Sequence, residues 1–114
     1  MKEQTIFDSK CEEELKILIG ENAKENWTII DKANQFDYWF HLKGQPSCHI
    51  VLKLPSCKSA INTQSLNHCA ALCKENSKFS EYKNIKIIYT RIKHVKKGDV
   101  IGSVYTTNNE IIIV

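Results

Sequence analysis

Two histidines and a tryptophan crowd into "DYWFHLKGQPSCHIVLKL", residues 37–54. Near neutral pH an imidazole can act as base, metal ligand or hydrogen-bond donor. Trp39 offers an aromatic plane on which a base could stack. Which chemistry applies depends on whether His41 and His49 meet. Gly44 and Pro46 signal a turn between two strand-like runs. With that turn centred on Gln45, Tyr38 faces Leu52, Phe40 faces Ile50 and Leu42 faces Cys48, all on one apolar side. On the other side Trp39 meets Val51, Asp37 meets Lys53 and His41 meets His49. A slip of one residue would turn the apolar set outward, so the pattern selects this register. Imidazoles directly opposite each other have Cβ atoms about 5 Å apart. Such a pair does not readily hold two protons, so at least one pKa falls.

Three readings of that face compete. It is a packed aromatic–histidine face under a helix, with both rings neutral. Or it is a recognition surface, in which Trp39 stacks while His41, His49, Lys43 and Lys53 donate to phosphate or base edges. Or it is a metal or acid–base site, as in a hydrolytic or nucleic-acid-modifying enzyme. The spacing supplies no third ligand, and Cys48 points away from His49. No glycine-rich phosphate loop, Gly-x-Ser-x-Gly elbow or carboxylate pair is present. The sequence therefore nominates no catalytic residue, no metal ligand and no cofactor. Lys93, His94, Lys96 and Lys97 form a second basic cluster at a turn, either a solvated loop or a phosphate contact. The candidate nucleic-acid contacts are Trp39, His41, Lys43, His49, Lys53, Lys93, Lys96 and Lys97.

These residues must be carried by a chain of 114 residues, the size of one domain. Net charge is +3, which permits contact with phosphates without demanding it. Arg91 is the only arginine, so bidentate arginine reading of bases is not expected. No apolar run approaches the roughly 20 residues of a membrane span. The charged N-terminus does not read as a secretory signal. Five cysteines, at 11, 48, 57, 69 and 73, form no Cys-x-x-Cys pair and leave an odd number. Free thiols in a cytoplasmic setting are expected, with no membrane partner.

Residues 1 to about 13 are polar and read as a peripheral segment, leaving 14–114 as the domain. "ELKILIG" alternates into a strand ending at Gly20. "KENWTIIDKA" puts Ala23, Trp27 and Ile30 on one helical face. Two strands flank the Gln45 turn. "TQSLNHCAALCKENS" is the clearest helix, capped by Asn62 or Thr63, with Leu66, Cys69, Ala70 and Cys73 as its apolar stripe and His68 off it. "IKIIYTRIKHV" reads as a strand, "KKGD" as a turn, and "IGSVYTT" with "EIIIV" as a closing hairpin around Asn108 and Asn109. This order predicts a single α+β domain: a mostly antiparallel sheet of about six strands with two main helices.

With these residues placed, the chain resembles the NFACT-R domain over residues 14–114. The resemblance runs through Gly20, Asn22 and Asn26 at the first strand and helix, then "DYWFH" (Asp37–His41) and "PSCHIVL" (Pro46–Leu52). It continues through "AALCKENSK" leading to Ser77, "IYTRIKHVKK" (residues 88–97) and Gly102. It departs from the family at Trp27, where an acidic residue is common, and in a shortened lysine turn. The tRNA-engaging and coiled-coil regions of the large members are not matched, so ribosome docking and tailing do not carry over. The resemblance implies a standalone RNA-binding module related to ribosome quality control and translation. Ribosomal or transfer RNA is the implied partner, with DNA as the alternative. A ribosomal or quality-control protein is a further partner class, and a protein-interaction module is the competing non-enzymatic reading.

Overall fold

In "ELKILIG" the alternation assigns Leu15, Ile17 and Ile19 to one face of a strand and Leu18 to the other. The computed structural model, which describes residues 1–55 and 60–114, buries both sets. That strand is β2 (Glu13–Gly20), and it lies between β1 (Lys2–Asp8) and β4 (His49–Leu52). The sheet continues through β3 (Tyr38–Leu42), β5 (Lys86–Arg91) and β8 (Glu110–Ile113). All six strands are antiparallel, in the order β1-β2-β4-β3-β5-β8. A separate two-stranded ribbon joins β6 (Val95–Lys97) to β7 (Val104–Thr106). Helices α1 (Ala23–Asp31) and α2 (Thr63–Glu75) complete the α+β architecture.

Alternation makes the sheet apolar on both faces, so each face needs a cover. On one face Ile17, Ile19, Phe40, Ile50 and Leu52 pack with Cys69, Ala70 and Cys73 of α2. On the other, Leu18, Trp39 and Val51 pack with Ile29 of α1 and with Val95 and Val104 of the ribbon. Each large aliphatic or aromatic side chain removed from water there contributes about 1.5–3 kcal/mol. The expected hairpin register holds: Tyr38 pairs with Leu52, Trp39 with Val51 and Phe40 with Ile50.

The N-terminal segment supplies a strand of the sheet: β1 pairs along its whole length with β2 and forms one edge. It reads as polar because an edge strand buries little. Only its end is deeply placed, where the Asp8 carboxylate accepts from the backbone N–H of Lys10 and Cys11, the N–H of Asn62 and the Ser65 hydroxyl. Burial pushes the Asp8 carboxyl up, but these bonds outweigh it and bring the pKa down to about 2.

The last third of the chain differs from the expected hairpin. "IKIIYTRIKHV" is not one strand: β5 stops at Arg91, and a 3₁₀ turn (Ile92–His94) redirects the chain into β6. β7 pairs with β6, and β8 pairs with β5, so no hairpin forms around Asn108 and Asn109. Asn108 instead takes a left-handed conformation (φ 55°) where the chain crosses from ribbon to sheet. The Thr90 hydroxyl, donating to the carbonyls of Thr107 and Asn108, holds that crossing. On α1 the face turned to the sheet is Asn26 and Ile29, one residue round from the expected Ala23–Trp27–Ile30 face. The latter packs against the ribbon. The thiols of Cys11, Cys48, Cys69 and Cys73 are free, and Cys57 lies outside the described residues.

Candidate nucleic-acid interface

The hairpin register brings His41 and His49 together, edge to face, with ring centroids 4.9 Å apart. Trp39 stacks on His41 at 5.6 Å and meets His49 edge-on at 5.3 Å. The indole Nε1–H donates to His49 Nδ1 at 3.2 Å. An indole nitrogen can only donate, so His49 Nδ1 carries the lone pair and its proton sits on Nε2. His41 shows the opposite tautomer. Its Nδ1 lies 2.6 Å from the Leu42 carbonyl, which can only accept, so Nδ1 is protonated and Nε2 is an acceptor. The pair thus presents one donor and one acceptor.

Both rings are held neutral. Burial depresses the His41 pKa, and the bond to the Leu42 carbonyl opposes this only in part. Burial, followed by repulsion from His41, pulls His49 down to about 3. His49, with Nδ1 engaged by the indole, is left with an Nε2–H that donates, whereas His41, with Nδ1–H engaged by a carbonyl, keeps an Nε2 lone pair that accepts. Among the described residues no cluster of three or more His, Cys, Asp or Glu is placed to hold a metal ion.

The histidines form the floor of a cleft of about 600 Å³ at one end of the sheet. Its walls come from four parts of the chain: the start of α1, the β3–β4 turn, the end of α2 and the ribbon tip. Close contacts hold these parts in place. Gly20 lets α1 settle on β2, since a Cβ there would lie 2.3 Å from Asn26 Oδ1 and 2.9 Å from the Asn26 backbone. That same Oδ1 accepts from the His49 backbone N–H at 3.1 Å. Gly102, at φ +90°, brings the ribbon tip against Ala23. The Trp27 Nε1–H donates to the Ser103 carbonyl at 2.9 Å and fastens the tip.

The other candidates do not all gather here. Trp39 is 1% exposed, so the expected stacking platform is instead an internal brace for the two imidazoles. Lys43 is exposed on the β3–β4 turn, whose Pro46 and Ser47 line the cleft, but it lines a separate cavity with Phe79 and Tyr82. Lys53 follows β4 at its far end, roughly 13 Å from His49 at about 3.3 Å per residue. There it pairs with the buried Asp37 at 3.5 Å and donates to the Lys32 carbonyl at 2.7 Å. Lys93, within the 3₁₀ turn, lies over the Phe36 ring and is not among the residues that line the cleft. Lys97 pairs with Asp31 at 2.6 Å above the Trp27 ring, whereas Lys96 is exposed on the ribbon. Sequence reasoning missed Asn26, Lys78 and Ser103 as cleft residues. Asn26 had a signal, a polar residue at the position that must face the sheet once Ile29 does.

A family model described as the NFACT protein RNA binding domain matches residues 5–109. The chain belongs to the NFACT-R family. Among curated relatives of this NFACT-R domain, the Rqc2 homolog RqcH of Bacillus subtilis is 31% identical over 84 residues, covering 73% of this chain and 14% of RqcH. Coiled-coil domain-containing protein 25 of Danio rerio is 32% identical over 84 residues, covering 71% of this chain and 41% of the relative. The chain therefore spans less than half the length of these relatives. The C-terminal part of the fibronectin/fibrinogen-binding protein from Streptococcus suis shares the fold, with a TM-score of 0.78 at 21% identity over 88% of this chain and 41% of that one. Among the described residues no helix is long and apolar enough to cross a membrane.

Proposed function

We propose that this NFACT-R domain binds RNA through the cleft above the histidine pair, in a cytoplasmic, translation-related setting. Ribosomal or transfer RNA is the proposed partner class. One observation carries the reading. The segments on which the family resemblance rests are far apart in sequence, yet Asn22 and Asn26, His41, Pro46 to His49, Ser77 and Gly102 all line one cleft. Lys78 on its wall supplies charge for the RNA backbone, and Lys43, exposed on the turn that carries Pro46 and Ser47 into the cleft, adds to it. Lys96, exposed on the ribbon, and Lys93, in the 3₁₀ turn, are proposed as further backbone contacts outside the cleft. Lys53 and Lys97 rank below them, because each already holds a carboxylate.

The test is anisotropy binding of single-stranded RNA, duplex RNA and DNA across a salt series. Lysine–phosphate contacts release counterions, so affinity should fall linearly with salt on logarithmic axes. Lys43→Ala and Lys78→Ala should each reduce a single-strand slope by about 0.7. A salt-independent affinity for every nucleic acid sinks the reading. Tighter binding of DNA than of RNA moves it to the alternative partner.

A further inference from the structure

The cleft floor carries polar groups that the protein itself leaves unused. His49 is 3% exposed and Asn26 is 7% exposed. His49 spends Nδ1 on Trp39, and Asn26 spends Oδ1 on the His49 backbone. Among the described residues neither His49 Nε2–H nor the Asn26 Nδ2 amide has a hydrogen-bond partner. Among the described residues no buried side-chain nitrogen or oxygen is sealed without a partner, and both Asn26 and His49 line the cleft. His41 Nε2 adds an acceptor on the same floor. Donors and acceptors that the protein leaves to solvent on a cleft floor are available to a ligand that reproduces those hydrogen bonds as it displaces water.

The chemistry of that ligand follows from the floor. Its imidazoles are uncharged, so it is poorly suited to phosphate, whose natural partner here is Lys78 at the wall. Adjacent donors and an acceptor match a neutral, planar, polar edge. Every nucleobase presents such an edge once it leaves its stack, with a ring or exocyclic acceptor next to an N–H. The ring faces need apolar cover. Pro46 and Ile101 line the cleft, and Ile101, 59% exposed, is otherwise an unexplained apolar side chain in water. The volume lies within the roughly 300–1,000 Å³ of small-molecule sites.

We infer that the cleft receives one unpaired nucleobase, with His49 Nε2–H and Asn26 Nδ2 donating to it and His41 Nε2 accepting from it. This rests on the RNA-binding reading and adds a base-sized subsite to it. The domain reads a single extruded base on a neutral floor while Lys43 and Lys78 hold the flanking phosphates.

Two measurements separate the subsite from RNA binding in general. The first titrates the four nucleoside monophosphates into nitrogen-labelled protein and follows the imidazole nitrogens. The expected result is a saturable shift of His41 Nε2 and His49 Nε2 with at least one of them. The second compares single-stranded RNA with the same strand made abasic at successive positions. Wild type should lose about tenfold in affinity at one position, the scale of one well-held base. His41→Phe keeps the stack on Trp39 but lacks the acceptor, and it should bind intact and abasic strands alike with the salt dependence preserved. The His49 nitrogen signals confirm that this variant keeps the floor intact. Salt-dependent RNA binding that ignores abasic sites, with unmoved imidazole signals, overturns the subsite and leaves the RNA reading standing. Shifted imidazoles with no RNA binding at any salt overturn the RNA reading and leave a mononucleotide site. Absence of both removes both.

Discussion

The indole of Trp39 donates to His49 Nδ1 at 3.2 Å, and this bond decides which nitrogen of His49 faces the cleft. A phenylalanine would fill much of the same space but could not set the tautomer. Trp39→Phe should therefore act twice. It leaves a buried acceptor unpaired, at a cost of about 1–3 kcal/mol in urea unfolding. It also frees Nδ1 for protonation, so the His49 pKa, followed by NMR titration, should rise. Unchanged stability together with an unchanged His49 titration would refute this role for the indole.

The same neutral pair makes stability depend on pH. His41 and His49 both have folded-state pKa values below the usual 6.5. In the unfolded chain they take up protons first as pH falls, so acid favours unfolding. The penalty is absent well above pH 6.5 and grows below it, by about 1.4 kcal/mol per pH unit for His49, until its folded-state value of about 3 is reached. Asp8 acts in a lower window. Its stabilisation is present above its usual 3.8 and is lost as pH falls through about 2. Denaturation midpoints at pH 7.5, 6.5, 5.5 and 4.5 should therefore drop progressively before Asp8 contributes. Midpoints that stay level down to pH 4.5 would show that the imidazoles are not buried as neutral rings.

The β3–β4 hairpin was legible in the sequence because two constraints agreed. Gly44 and Pro46 located the turn, and only one register placed Phe40, Ile50 and Leu52 on a common side. The helix over Thr63–Glu75 was legible for a similar reason, since Cys69, Ala70 and Cys73 repeat at helical spacing. β1 was not, because an edge strand with one exposed face carries little apolar signal. The final hairpin failed for a different reason. Val104–Thr106 and Glu110–Ile113 are adjacent in sequence and strand-like, but β7 pairs with the preceding β6 and β8 with the more distant β5, so the two do not pair with each other. The cleft needed that long-range information too. Trp39 looks the same in sequence whether it faces solvent or a helix, and only the placement of α1 and the ribbon over it shows that it is covered.

Gly102 should prove more sensitive than its place in an exposed turn suggests. Its φ of +90° disfavours any side chain, and a Cβ there would lie 2.7 Å from the Ala23 Cβ. Gly102→Ala should cost about 1–3 kcal/mol and lift the ribbon tip from α1. Trp27→Phe keeps an aromatic ring beneath Lys97 but removes the bond to the Ser103 carbonyl, and should cost about 1 kcal/mol. Hydrogen exchange would read the tip directly, with faster exchange at Ser103 and Val104 in both variants and little change in the central strands. Uniformly faster exchange through β2, β3 and β4 would mean that the ribbon is not a separable element.

Lys43 and Lys53 flank the same hairpin and should exchange their phenotypes. Lys53 neutralises Asp37, a carboxylate 1% exposed that also accepts from the backbone N–H groups of Leu54 and Asn34. Lys53→Ala leaves that charge without its cation and should lower stability by about 1–3 kcal/mol, between the usual costs for exposed and buried pairs. Its effect on RNA affinity should be small, since the lysine lies at the far end of β4 from the cleft. Lys43 is exposed on the turn beside the cleft and has no salt-bridge partner among the described residues. Lys43→Ala should change stability by less than about 0.5 kcal/mol while weakening RNA binding in a salt-dependent way. Urea unfolding and anisotropy on the same two variants make the comparison internal. If Lys53→Ala proves the stronger loss in binding at full stability, the RNA path runs along the opposite end of the sheet and the cleft is not its centre.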